Sequence, residues 1–435
     1  MAWRHDYSGW LECAHLGGQG AVKHFLREIM FLLRQWASVW AIALLAVLAF
    51  LSVGLGLQDI SRQKAEIAEV FALQTKDTAA IKVFAKEPGD AAYYRFHPTW
   101  DRPAPLAFAA LGQRDIAPSI LRIRALALEG QIHENEAQNP ELALPGRFDF
   151  AFVLIYLAPL VLIVLFYDLW SGEREAGRLA SLQAIPKARL RVWLPRVVAR
   201  FGLVSAVLIL AFWVGALISG AGMGEALAFT VLILALLGFW TLVATLVARV
   251  GGGSPTNAAA LATIWLVITL IAPAGSNLVI NGTTPIPDGA AIMRENREAV
   301  HDAWDLDRDA TLQRFYALYP ELSNSEPMQR PFEWKWYFAF QHLGDQKVEP
   351  MSRAYRAGIA KRDACAKLVS FALPPIAVQR AMHRLARTDM AAQAAYQDRI
   401  RAYHTRLRTY YYPFLFAAKP FTPADFDAAP EFVGP

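Results

Sequence analysis

At Phe150 the chain enters an unbroken apolar run, FAFVLIYLAPLVLIVLFY, which stops at Asp168 and gives way to SGEREAGRLASLQAIP. Roughly 20 apolar residues at 1.5 Å each match the hydrocarbon thickness of a bilayer. The run therefore belongs in lipid, and the charged stretch after it belongs at a watery membrane face. That stretch predicts a short helix opening at Ser171 and ending at Pro186. Ser171 is placed to cap it, and Glu173 and Glu175 fall in the first turn, where the helix dipole favours carboxylates. Glu175 and Arg178 are spaced to pair on an unbroken helix. Leu179 and Leu182 add an apolar edge, and a basic KARLR segment follows at residues 187–191.

Hydropathy predicts five spans in all, at residues 37–57, 150–168, 201–219, 226–248 and 258–279. Before the first span, QGAVKHFLREIMFLLR (residues 19–34) sets Val22, Phe25, Ile29, Leu32 and Leu33 near one helical face. Lys23, Arg27 and Arg34 lie largely off it. This pattern reads as an amphipathic elbow helix lying on the membrane, with Trp36 and Trp40 at the entry to the span. The apolar lead begins too late, and lacks the small-residue site, for a cleaved signal.

Short loops set the orientation. The segment at residues 169–200 carries Arg174, Arg178, Lys187, Arg189, Arg191, Arg196 and Arg200, whereas the Gly220–Gly224 loop carries no basic residue. The first is expected in the cytoplasm with residues 1–36, and the second outside. Residues 58–149 and 280–435 then fall outside as two extracytoplasmic domains. Long translocated domains largely escape the positive-inside bias. The second reads as helical over residues 290–319, 338–368 and 376–410. The first reads as a helix over residues 59–74 with some strand and a Pro-rich stretch at residues 97–105. The expected fold is thus an all-α polytopic membrane protein. Cys13 and Cys365 fall on opposite sides of this topology, so no disulfide joins them.

Little in the chain points to catalysis. Gly251-Gly252-Gly253-Ser254 has no following Lys to meet a phosphate, and His133-Glu134 lacks the second His of a zinc-protease helix. No metal or other cofactor is expected. The net charge of +5 is spread thinly, with no basic block interleaved with stacking aromatics, so no nucleic-acid partner is expected. The spans are nearly free of ionisable groups, which argues against ion coupling in the lipid. If the protein moves something, the energy arrives from another subunit. Aromatic groups at Tyr93-Tyr94, Trp334-Trp336-Tyr337 and Tyr410-Tyr411-Tyr412 read as core ahead of a binding surface.

The charged stretch GEREAGRLASLQAIPKARL, directly after VLFYDLWS, resembles the E-R-E-x-G-T-L signature of type-2 permeases of ATP-binding-cassette transporters. Three further stretches are similar to one bacterial subfamily of these permeases that carries a domain of unknown function: residues 96–123, 139–160 and 254–277. FALPPIAVQRAMHRLARTD, residues 371–389, joins them, and the resemblance covers residues 28–411. Arg178 stands where the family has Thr, and the family pattern closes with a sixth span that is expected after Pro435.

The resemblance implies a permease subunit of an exporter in a bacterial inner membrane. A cytoplasmic ABC ATPase and a second copy or sister permease are its implied partners beside the bilayer. Glu173, Arg174, Glu175, Gly177 and Leu179 become candidates for contact with the ATPase, with Arg27 and Glu28 on the elbow. Glu173 and Glu175 could equally anchor the fold by pairing with the elbow. A different class of function remains open: a non-transporting scaffold or sensor whose outer domains bind envelope partners.

Overall fold

A proline without an N–H stands inside three of the apolar helices, and each time the helix answers in the same way. In the computed structural model, which describes residues 25–134, 148–250 and 252–434, π-helical turns at Val153–Leu157, Arg189–Trp193 and Val267–Ile271 end two residues before Pro159, Pro195 and Pro273. Pro offers no hydrogen-bond donor and its ring crowds the carbonyl four residues earlier. Widening one turn moves that carbonyl aside without ending the helix. The two apolar helices without a proline, Trp36–Phe84 and Met223–Arg249, run as regular α-helix throughout.

Among the described residues five helices are long and apolar enough to cross a bilayer: α1 (Trp36–Phe84), α4 (Phe150–Glu175), α6 (Arg189–Ser219), α7 (Met223–Arg249) and α8 (Ser254–Thr283). The chain is membrane-spanning in character. Helix α4 is central, with 61% of its most apolar stretch buried against the others, whereas 11% of that of α8 is buried. Helix α6 ends at Gly220, whose φ of 74° supplies the left-handed cap that a side chain would resist.

The first span differs most from its expected bounds. A break was expected near Leu57, but α1 continues for 49 residues, about 74 Å at 1.5 Å per residue. Its buried positions, among them Leu45, Ala49, Val53, Gly56, Ile60, Gln63 and Ile67, keep one stripe from the apolar half into the polar half. The polar half is rich in Lys, Glu, Gln and Ala, good helix formers with no breaker, so nothing in the sequence ends the helix at the lipid boundary.

Beyond the spans lies a polar body. Its parts are α2 (Pro88–Tyr94), β1 (His97–Trp100), β2 (Ile120–Ile123), α3 (Leu128–His133), α9 (Gly289–Asp302), α10 (Arg308–Leu318), α11 (Trp334–Ala372), α12 (Pro374–Leu385) and α13 (Met390–Phe416). The strands pair antiparallel with His97 opposite Ile123 and Trp100 opposite Ile120. The two segments that the sequence treats as separate domains share one core here: Ala91, Ile123 and Leu128 from the first pack with Phe315, Tyr403 and Tyr411 from the second. Trp336, Tyr411 and Tyr412 are buried in this body, while Tyr94 is exposed.

Two buried charge clusters tie the segments together. Asp345 on α11 accepts hydrogen bonds from the backbone N–H groups of Leu128 (2.8 Å) and Glu129 (3.2 Å), from Asn296 (3.2 Å) and from Arg408 (2.7 Å). All four of these partners donate. Burial, with the nearby Glu129 charge, pushes the Asp345 carboxyl up, against the Arg408 charge and the amides of Leu128 and Glu129, which favour the carboxylate. Glu129 in turn holds Arg401 at 2.7 Å and accepts from Ser352 at 2.8 Å. Burial alone would raise the Glu129 carboxyl, but bonds from His133, Arg401 and Ser352 with the Arg401 charge hold it well below its usual range.

A short apolar stretch, Pro105–Leu111, leaves the body and sits in the end of the span bundle. Leu106, Ala107, Phe108, Ala109 and Ala110 are fully buried in the same core as the spans. Phe108 stacks on Phe212, which stacks on Phe229 with ring centroids 4.5 Å apart. Two glycines make the room. A Cβ on Gly56 would lie 2.1 Å from the Phe108 carbonyl oxygen, and one on Gly215 would lie 2.3 Å from the Phe108 ring. Asp149 closes the joint by accepting from Leu111 N (2.9 Å) and from Phe152 N (2.8 Å) at the start of α4.

Candidate functional site

The candidate residues gather at the opposite end of the bundle, where the chain leaves α4. The helix expected from Ser171 to Ile185 is broken into two. The last turn of α4, Ser171–Glu175, is followed by Gly177 with φ 71°, and α5 (Leu179–Gln183) starts anew. Glycine takes this left-handed conformation without steric cost, and a Cβ there would meet nothing within 4 Å. The site is a turn held open by backbone conformation and not by packing.

Breaking the helix rearranges the pairs. Arg178 no longer lies one turn from Glu175; its Nε donates to Glu173 Oε2 at 2.7 Å. Glu173 Oε1 accepts from Arg196 Nη1 at 2.9 Å. Arg196 also lies 3.4 Å from Glu28 Oε2. Helical residues 25–32 hold Glu28, which is only 3% exposed. One guanidinium on α6 therefore straps the elbow to the end of α4. The expected link between the Glu173–Glu175 pair and the elbow exists for Glu173, through Arg196. Glu175 goes elsewhere, accepting from Ser254 N at 2.8 Å at the start of α8.

Ser171 does not cap a helix. Trp170 holds the cap position without a side-chain bond, and Ser171 is buried. Its Oγ accepts from Ser254 Oγ at 2.8 Å and from Asn257 Nδ2 at 3.4 Å, which ties α4 to α8. Arg200 explains why the chain bends just before it. In a regular helix Leu169 N would bond Leu165 O, but it bonds Phe166 O instead, at 3.1 Å. The freed Leu165 carbonyl accepts from Arg200 Nε at 2.7 Å. Trp170 stacks on Trp193 at 4.8 Å beside this joint.

The structure thus brings Glu28 and Glu173 together through Arg196, and bonds Glu175 instead to Ser254 at the start of α8. Arg27 leans on its neighbour Glu28 at 3.4 Å. Leu179 is half-buried against the apolar core of the spans. Arg174 and Gly177 lie on an exposed rim with Arg178, Ser181 and Gln183 through Lys187. On the elbow Phe25, Glu28, Ile29 and Leu32 face the bundle, and Leu26, Met30, Phe31 and Leu33 are exposed, as suits a helix lying at a lipid surface. Val22 and Lys23, Cys13 and the 139–147 part of the second similar stretch lie outside the described residues.

Sequence reading counted Arg196 and Arg200 only as loop charges and gave Ser254 and Asn257 no part in the site. The signal was present for the first two, since two Arg one turn apart opening an apolar helix need partners. Ser254 and Asn257 carry no such signal, because their partners lie some 80 residues away. Among the described residues no three His, Cys, Asp or Glu side chains converge to hold a metal. The arrangement is a strapped base carrying an exposed turn.

A family described as a domain of unknown function (DUF3526) matches residues 290–433, the part of the chain from α9 to the end of the body. The matched stretch includes FALPPIAVQRAMHRLARTD, residues 371–389. Comparison with curated proteins and with solved structures found no match.

Proposed function

We propose that the chain is the permease subunit of an ATP-driven exporter in a bacterial inner membrane. It works with a second copy or a sister permease, and each pairs with a cytoplasmic ABC ATPase. In this reading the elbow and residues 169–200 face the cytoplasm and the body faces outward. Closure of the ATPases presses on the turn at residues 176–187. The strap of Glu28, Arg196 and Glu173 passes the push to the elbow, α4 and α6, and an amphipathic or peptide-like cargo moves through the rearranged spans.

The observation that carries this reading is the exposed turn mounted on that strap. A loop that only joins two spans needs neither a buried carboxylate on a separate surface helix nor a guanidinium shared between them. The similarity of GEREAGRL to the permease signature supports the same reading.

The test is co-purification from detergent-solubilised native membranes, scored for an ATPase bearing a phosphate-binding loop. The native chain is run beside Glu173→Lys/Glu175→Lys, and beside Ala184→Arg, which alters only the exposed rim. An ATPase held by the native chain and lost from Ala184→Arg is the expected result. Retention by both variants would reduce the carboxylates to holding the fold. No ATPase at all, under conditions that keep other membrane complexes whole, would overturn the permease in favour of the scaffold or sensor.

A further inference from the structure

Between α7 and the corner where α11 meets α12 lies a cavity of about 620 Å³. Its apolar wall includes Ala228 and Leu232 of α7 and Ala377 and Ala381 of α12. Measured along the helix from Met223, Ala228 and Leu232 lie roughly 8 and 14 Å deep. Met223, Leu227 and Val231 beside them are exposed, so this stretch of α7 faces lipid. The inner wall is therefore at the level of the upper acyl chains.

The corner itself sits at the lipid surface. Helix α12 buries Val378 and Met382 in the same core as the spans, which lays it against the flank of α7. The corner exposes Leu368 at 69% and Phe371 at 78%. Two large apolar side chains at the tip of a helical corner are costly in water and favourable in the interfacial layer.

Over the apolar wall stands a basic rim. Arg380 is occupied, donating to Asp363 at 2.7 and 3.1 Å. Arg384 is 72% exposed and reaches Asp389 only at 3.9 Å. Lys367 is exposed and makes no ion pair within 4 Å among the described residues, although its charge and that of Arg384 both act on Asp363. Two loosely held cations above an apolar wall match a molecule with an anionic head and an apolar tail. A zwitterionic head would bring its own cation against Lys367 and Arg384.

We propose that this cavity holds the headgroup and upper chains of an anionic phospholipid from the surrounding leaflet, seating the body on the membrane beside α7. The inference requires only that α7 spans the bilayer.

The experiment titrates the purified full chain with phosphatidylglycerol or phosphatidylcholine of matched chains and reads retained lipid by native mass spectrometry. Phosphatidylglycerol is expected to bind about 10- to 30-fold more tightly, the gain two cations bring near an anionic lipid surface. K367A/R384A should lose that preference. R353A, an exposed Arg on α11 about 21 Å along the helix from Lys367, should keep it. Leu232→Trp, which fills the cavity without touching a charge, should also lose the bound lipid and guards against a charge effect elsewhere. Equal binding of the two lipids, or a preference that survives in both K367A/R384A and Leu232→Trp, would overturn the proposal. Displacement by soluble glycerol 3-phosphate would overturn it too, assigning the cavity to a soluble phosphate compound.

Discussion

At the body end of the bundle, Glu129 is a buried carboxylate and Asp345 a largely buried one, with several donors each; Asp345 receives bonds from two backbone amides, an amide side chain and a guanidinium. At the elbow end, Glu173 is half-buried, its partner Arg178 is exposed, and the turn beyond them rests on one glycine's backbone angle. The first arrangement is costly to disturb, because removing one partner strands the other away from water. In the second, the turn itself is held by part-exposed bonds that solvent can replace, above a base in which Glu28 and Arg200 are buried. One end of the molecule is locked by buried charge clusters, and the other carries an exposed turn that packing does not hold.

The sharpest way to break that contrast is Arg408→Met. It leaves Asp345 buried without its charge partner, and should cost about 3–5 kcal/mol. Thermal unfolding of the detergent-solubilised protein reads this as a large drop in midpoint, and Asp345→Asn in the same chain should recover part of it. A drop no larger than that of a surface variant would remove the distinction between the two ends.

Acid should divide the ends next. Burial and then the Arg408 charge lower His342 from its ordinary 6.5 to about 3. Its Nδ1 lies 3.0 Å from an Arg408 nitrogen, which can only donate, so the ring is neutral. Burial, with a smaller push from Arg95, lowers His97 to about 3 as well. The unfolded chain binds these protons between pH 6.5 and 3 and the folded body does not. Stability is therefore fully present above about pH 6.5 and falls as pH drops toward 3. Protection of body amides from hydrogen exchange should weaken over that window, and His342→Gln should flatten the response.

The smallest effect belongs to the turn. Gly177→Ala adds a methyl group to open space, so only the left-handed backbone resists it, at about 1 kcal/mol. The unfolding midpoint should barely move, while protease cutting within residues 176–187 changes. A large global loss would mean that the turn supports the fold and is not a separable handle.

Much of this plan was legible in the residues. The apolar runs locate five spans, since no other state suits some 20 consecutive apolar side chains. What stayed hidden depended on conformation or distance. The pairing of Glu175 with Arg178 presumed an unbroken helix, and one left-handed glycine redirects Arg178 to Glu173. PLAFAAL is too short to cross a bilayer and reads as an ordinary loop, because the space for Phe108 is made by Gly56 and Gly215, each remote in the chain. The shared core of the body joins segments separated by all of α4 through α8, a relation that local periodicity does not carry.

The unbroken length of α1 makes it a lever as well as an anchor. Rooted beside the elbow at Trp36, it reaches Phe84 at the exposed edge of the body, so tilting it by about 5° about its lipid-bound foot sweeps the far tip through about 6 Å. Phe108 rides against its midpoint at Gly56 and moves with it through a smaller arc. Displacement at one membrane face is thereby amplified at the other by geometry alone, through a single rod that crosses no joint.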